Sequence, residues 1–261
     1  MSAHDDAALV HAMIAMAERA GAEILSVYET AFRVQSKPDA SPVTEADVRA
    51  EQVILQALAK IAPSIPVIAE ESVAAGRLPS IDGGRFFLVD PLDGTREFIS
   101  RNGEFTVNVA LVDAARPVLG VVHLPALDET YWSDGQSAWR RRGGEAPVRI
   151  RCRRPHGDAL VVVASRSHRD ARTDAFLADF KVKQLISAGS SLKLCRVAEG
   201  SADLYPRLGR TMEWDIAAGH AVLEAAGGSV RTLDGAPLRY GKQGLDNPDF
   251  VARGLEQDAS R

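Results

Sequence analysis

From Arg85 to Arg142 the chain repeats one pattern, in which short apolar or alternating runs are broken by turn residues. "RFFLVDP" is a continuous apolar run, "FTVNVALV" and "PVLGVVHLP" flank the turn "DAARP", and "ETYWSD" and "QSAWRRR" extend the alternation. Runs joined by so few residues can pair only as antiparallel neighbours, so a hairpin-built sheet is predicted. A sheet that apolar must be covered.

The cover is legible on either side. Leu9, Met13, Ala17, Ala20, Ile24 and Val27 recur at helical spacing across Ala7 to Tyr28. "KPDASPV" is a loop, and "TEADVRAEQVILQALAKIAP" reads as a second helix, opened by Thr44 and stopped by Pro63. "IPVIAEES" reads as a further buried strand running into acids. After the polar, arginine-rich stretch 140–158 the pattern changes. "ALVVVASRS", "VKQLISAGSS" and "ADLYPRL" read as strands, alternating with helices in "RTDAFLADF", "SLKLCRVAEG" and "EWDIAAGHAVLEAAGG". Strand–helix alternation marks an α/β unit. The chain therefore divides near residue 146, into an α+β part, 1–146, with most of the acids discussed below, and an α/β part, 147–261.

With 261 residues and 46% apolar content there is ample material for a core. A net charge of -4 argues against a nucleic-acid polymer as partner. The runs "RRR" (140–142) and "RCRR" (151–154) are read as solvated faces. Cys152 and Cys195 have no metal-ligand spacing and suit a reducing compartment. The N-terminus carries acids where a signal peptide carries Lys or Arg, and no apolar run nears the ~20 residues of a membrane span. A soluble, cytoplasmic protein is expected; a monomer is the simpler state, although the sequence leaves oligomerisation open.

The stretch "FFLVDPLDGTREFI" poses the chemical question. Pro91 is expected to end the strand and Gly94 to permit a tight turn. Asp90 and Asp93 are thereby held close, where like charges repel unless a cation sits between them. Asp47, the pair Glu70–Glu71, and Asp215 also stand at element ends. Oxygen-only ligands without His or Cys fit a hard cation, Mg²⁺ above all, and two such ions can clamp a phosphoryl group. Asp90 is the expected bridge between Glu70 and Asp93. Each acid also has a plain structural reading: Asp47 as a helix cap after Thr44, Glu70 and Glu71 as a solvated strand end, Asp90 and Asp93 as turn residues, Asp215 as a partner of the helix dipole. The joint pattern favours a metal site.

In that order, "EE", "DPLDGT" and "WDIAAG" resemble the signature of the magnesium-dependent, lithium-sensitive phosphatases related to inositol monophosphatase. The resemblance covers essentially the whole chain, "SPVTEAD" included. "DPLDGTREFISRNGEFTVNVALV" and "ISAGSSLKLCRVAEGSADLYPR" look closer to the CysQ-type 3′(2′),5′-bisphosphate nucleotidase branch of sulfate assimilation, since inositol monophosphatases tend to follow DGT with Thr-Asn-Phe. Arg96 departs from the Lys that many members of the branch carry.

The resemblance implies a layered αβαβα sugar-phosphatase sandwich with the site between its two parts. It implies that Glu70, Asp90 and the Leu92 carbonyl hold one Mg²⁺, and Asp90, Asp93 and Asp215 another, with two or three ions in all. Asp47 paired with Thr95 would take a proton from the attacking water, with Glu70 also in the catalytic set. Leu92, Asp93, Gly94, Thr95 and Asp215 would meet the substrate. The implied reaction removes the 3′-phosphate of adenosine 3′,5′-bisphosphate, giving AMP; an inositol or sugar phosphatase, and a non-catalytic nucleotide binder, remain as alternatives. Peripheral contact with the cytoplasmic face of the inner membrane rests on the resemblance alone.

Nucleotide contacts are expected from "GSSLK", that is Gly189, Ser190, Ser191 and Lys193, whose hydroxyls, N–H groups and ammonium suit a phosphate or ribose. A helix start with a solvated lysine is the equal alternative. Arg166, His168 and Arg207 are read either as reaching the second phosphate or base, or as solvated surface.

Overall fold

The computed structural model describes residues 3–32, 34–36, 42–81, 84–155, 157–166 and 171–255; His168 lies outside them. Helix α1 (Ala3–Tyr28) and, after the short strands β1 (Gln35–Ser36) and β2 (Pro42–Val43), helix α2 (Glu45–Ile61) pack together. The expected ridge of α1, from Leu9 to Val27, is buried throughout, as are Ala50, Ile54 and Leu58 of α2.

Among the described residues the first sheet has seven strands in simple sequence order: β3 (Val67–Ala69), β4 (Phe86–Asp93), β5 (Thr106–Asp113), β6 (Arg116–Leu124), β7 (Glu129–Ser133), β8 (Ala138–Arg142) and β9 (Val148–Ile150). Only β3–β4 is parallel, with the five-residue helix α3 (Glu70–Ala74) in its connection. Every later neighbour is antiparallel, as the short turns predict. Helix α4 (Thr95–Ile99) follows β4 directly.

The second sheet orders its strands β11-β10-β12-β14-β13. These are β10 (Leu160–Ser165), β11 (Val182–Ala188), β12 (Leu204–Arg207), β13 (Ser229–Thr232) and β14 (Phe250–Arg253), with helices α5 (Ala171–Leu177), α6 (Leu192–Ala198) and α7 (Glu213–Ala225) between them. Strands β10, β11 and β12 are mutually parallel where they pair, and β14 runs against both β12 and β13.

The apolar run of β4 now has its explanation. Phe87 and Val89 join α1 and α2 in one core, whereas Phe86 and Leu88 join α6 and α7 in another. A strand covered on both faces has no polar alternate positions. Val161 and Val163 of the second sheet reach that inner core too, while Val162 points to Leu177 of α5 on the outer side. The layers are therefore α1/α2, sheet, α6/α7, sheet, α5: the expected αβαβα sandwich. The inner layer is tight, since a Cβ on Gly120 of β6 would lie 2.3 Å from the Ala218 carbonyl of α7.

Several expectations need correction. Pro91 does not end β4; the ladder to β5 shifts register between Asp90 and Asp93, so Pro91 falls in the bulge where no N–H is required. Glu70 and Glu71 open α3 instead of closing a strand. The first sheet continues beyond residue 146, because β9 pairs with β8. The arginine runs are not simply solvated: Arg140 meets the buried Glu199 at 2.6 Å, Arg142 meets the buried Glu129 at 2.6 Å, and Arg141 pairs with Glu18. Arg153 clamps the buried Asp203 with two bonds of 2.8 and 3.0 Å. Among the described residues no helix is long and apolar enough to cross a membrane.

Candidate active site

The expected acids converge because three helix starts and one strand end meet between the layers. Thr44 caps α2, and its N–H and hydroxyl both donate to Asp47 Oδ2 at 2.8 Å, which completes a capping box. One turn further along α2, the buried Glu51 accepts from the Glu71 N–H at 2.7 Å and from Ser72 Oγ at 2.6 Å. Glu51 thus pins the first turn of α3, which carries Glu70.

At the end of β4, Asp90 is buried and its Oδ1 accepts from the Leu92 N–H at 3.0 Å, shaping the bulge. Asp93 emerges beyond it. Gly94 then takes φ +88°, and a Cβ there would stand 2.0 Å from Ser190 Oγ, so only glycine fits this turn. Thr95 opens α4 with its hydroxyl 3.5 Å from the Leu92 carbonyl, a distance too long to fix it firmly.

The Gly189–Ser191 turn ahead of α6 brings Ser190 and Ser191 to the cleft. Ser190 Oγ donates to the Asp93 carbonyl at 2.9 Å, the Ser191 N–H donates to Asp93 Oδ2 at 2.7 Å, and Ser191 Oγ donates to the Asp215 carbonyl at 2.6 Å. Asp215, the third residue of α7, accepts from the Met212 N–H at 2.8 Å. Lys193 is buried rather than solvated: its Nζ donates to the Ser190 carbonyl at 2.5 Å and lies 5.5 Å from the Tyr205 ring centre.

These groups line a cleft of about 280 Å³. Glu70, Asp93, Gly94, Thr95, Ser190, Ser191, Lys193, Arg207 and Asp215 face it. Asp47, Asp90, Leu92 and Gly189 are not on its wall. Gly189 spends its N–H on Glu104 Oε2 at 2.8 Å and is not held toward the cleft as expected; Arg166, read as either a substrate contact or solvated surface, grips the same carboxylate. Glu51, Glu97, Glu104, Tyr205 and Arg210 were not anticipated. Only Glu51 left a trace in sequence, four residues after Asp47 on one face of a helix.

The cleft floor is electrostatically uncomfortable. Burial pushes the Asp93 carboxyl up to about 6, against the pull of the Lys193 ammonium and with Glu97 adding repulsion. Burial, then Asp93 and Glu70, drive Asp215 well above the usual carboxylate range. Burial lowers Lys193 to about 8, opposed by Asp93. Asn108 Oδ1, on the residue whose amide reaches Asp93, is buried without a hydrogen-bond partner. Among the described residues no three His, Cys, Asp or Glu side chains are gathered closely enough, as they stand, to hold a metal ion. The donor chemistry nonetheless fits a hard cation: oxygen ligands only, with mutual repulsion that a positive ion would relieve.

A sequence model of the inositol monophosphatase family matches residues 5–257. The chain belongs to that family. It is 46% identical over 239 residues to the 3′(2′),5′-bisphosphate nucleotidase CysQ of Escherichia coli O157:H7, covering 90% of this chain and 95% of the relative. The Haemophilus influenzae protein of the same name is 32% identical, covering 94% of this chain and 93% of its own. Among solved structures, CysQ from Bacteroides thetaiotaomicron superposes with a TM-score of 0.80 at 40% identity, covering 95% and 97% of the two chains. Thermotoga maritima IMPase superposes at 0.74 and 26% identity, covering 92% and 90%.

Proposed function

We propose that this chain is a magnesium-dependent phosphatase that removes the 3′-phosphate of adenosine 3′,5′-bisphosphate, giving AMP and phosphate. One observation carries the reading: Glu70, Asp93 and Asp215 face a single cleft that the cations Lys193 and Arg207 also line. Acids alone would suit a metal; adding cations, the buried Lys193 among them, suits a substrate with a second phosphate. The likeness to the nucleotidases named above supports the same choice of substrate.

Glu70, Asp90, the Leu92 carbonyl, Asp93 and Asp215 would hold two or three Mg²⁺. Bound there, the ions supply charge neutralisation at the phosphoryl group and make water a stronger acid. The chain's own groups then position and shield. Gly94 and Thr95, at the start of α4, offer N–H donors to the scissile phosphate. The loosely held Thr95 hydroxyl orients the attacking water, and the Asp47 carboxylate is the base that takes up the proton passed on through that hydroxyl. Lys193 and Arg207 bind the phosphate that is not cleaved. Phosphoryl transfer needs positioning and charge more than a covalent nucleophile, and the free, buried Cys152 and Cys195 need no role. Those thiols support a reducing, cytoplasmic setting.

The test is phosphate release with Mg²⁺ from a panel at equal concentration: adenosine 3′,5′-bisphosphate, its sulfated counterpart and inositol monophosphate. The first should be the best substrate, and Li⁺ should inhibit. Preference for inositol monophosphate would move the assignment to the other branch of the family. Binding without turnover would make the protein a sensor.

A further inference from the structure

We infer that Glu104 is a positioning residue, whose carboxylate holds the Gly189–Ser191 turn in the register that presents Ser191 to Asp93 and Lys193 to the cleft. Glu104 lies between α4 and β5, and the turn lies 85 positions away. Its Oε2 accepts the Gly189 N–H at 2.8 Å, and Arg166 secures both oxygens from the far side, at 3.0 Å through Nε and 2.9 Å through a terminal nitrogen. Arg166 also reaches the Ser187 carbonyl at 3.3 Å, so the clamp spans the end of β11 and the turn together.

A second, independent feature shows that the turn needs holding. Ser190 sits at φ +48°, in the left-handed region that a side chain other than Gly, Asn or Asp rarely occupies. Such a conformation persists only where surrounding contacts over-determine it. The contacts are unusually close: a Cβ on Gly189 would lie 2.7 Å from Glu97 Cγ and 2.8 Å from the Glu104 carbonyl. From this one strained turn come the Ser190 and Ser191 bonds to Asp93, the Ser191 bond to Asp215 and the anchor for Lys193 Nζ. Release of Gly189 would let the turn relax, and Asp93 would lose the N–H that orients its carboxylate. Glu104 itself touches neither substrate nor metal in this scheme; it acts through the turn.

The inference rests on the phosphatase reading of the cleft, and its test separates the two. Glu104→Ala, Glu104→Gln and Arg166→Ala are made in the full chain and compared with the unaltered protein by Mg²⁺ titration calorimetry, thermal melting and kinetics on adenosine 3′,5′-bisphosphate. Glu104→Ala should bind Mg²⁺ more weakly and lose about tenfold or more in kcat/KM, the scale of a lost charge-assisted hydrogen bond, with KM rising more than kcat falls. Glu104→Gln should recover most of both, because an amide oxygen still accepts from Gly189. Arg166→Ala should fall between. Unaltered Mg²⁺ binding in Glu104→Ala would overturn the inference, as would equal losses in Glu104→Ala and Glu104→Gln accompanied by equal drops in melting temperature. If Glu104→Ala does not fold, Arg166→Ala decides, since it removes an exposed group, and unchanged Mg²⁺ affinity there overturns the proposal. An unaltered protein inactive on the nucleotide would refute the nucleotidase reading, and the Mg²⁺ arm would still judge Glu104.

Discussion

The Ser191 N–H and Asp93 Oδ2 meet at 2.7 Å across 98 positions of sequence. Ser191 Oγ also donates to the Asp215 carbonyl at 2.6 Å. One serine therefore ties an acid from the first sheet to an acid from the last long helix. The arrangement holds two carboxylates near each other against their repulsion, which is stored stability that a cation can recover.

Asp93→Asn should keep the fold and lose about a hundredfold or more in turnover at saturating Mg²⁺, the scale of removing a group that stabilises transition-state charge. Without Mg²⁺ the same variant should melt higher than the unaltered protein above pH 6, because burial and Glu97 hold the Asp93 carboxyl up to about 6 and make its charged form costly. Phosphate release and a chelator-treated melting curve check the two halves. Near-normal turnover would remove Asp93 from the metal site.

Lys193→Ala should lower kcat/KM for adenosine 3′,5′-bisphosphate by about one to two decades, the worth of a charge-assisted phosphate contact. The loss on inositol monophosphate, which has no second phosphate, should be smaller. Equal losses on both would assign Lys193 to the general support of Asp93, which its position over Tyr205 also permits.

Glu51→Gln should cost about 1.5–3 kcal/mol of stability, since a buried carboxylate that accepts two bonds becomes an amide with one acceptor. Turnover should fall with it, because Glu51 sets the first turn of α3 and hence Glu70. Chemical denaturation and initial rates measure both. An unchanged rate would mean that Glu70 is placed by other contacts.

Stability should decline as pH falls from about 6.5 to about 4. Burial depresses His123 to about 4, partly opposed by Asp128, and its Nδ1 lies 2.9 Å from Thr130 Oγ1. The unfolded chain then binds a proton in this window that the folded chain refuses, so acid favours unfolding, by about 3 kcal/mol once pH is below the window. His123→Gln, a neutral side chain that keeps a polar head, should flatten this part of the pH profile in denaturant melts. An unflattened profile would show that other groups govern acid stability.

Much of this protein is local, and local features are what a sequence displays. The α1 ridge, the β5–β6 hairpin, the Thr44–Asp47 box and the "DPLDGT" turn each follow from periodicity or turn chemistry within a few residues, because backbone sterics and side-chain spacing act at that range. The acids proposed as metal ligands stood out for a similar reason: Glu70 and Asp215 lie at helix starts and Asp93 at a strand end, although Asp90 proves to lie inside β4. The tertiary structure alone decided which of them line the cleft directly, and which lie behind its wall with a cap or a bulge to shape as well, as Asp47 and Asp90 do. It decided that β4 runs through Pro91, since a register slip against β5 removes the need for that N–H. It buried Lys193, which looks like any helix-surface lysine until β12 supplies Tyr205 beneath it. And it found Glu51 and Glu104 their partners, 20 and 85 positions away. Hydrogen bonds across such separations leave no periodicity behind, because they exist only once the layers have packed and brought distant backbone N–H groups within 3 Å of an acceptor.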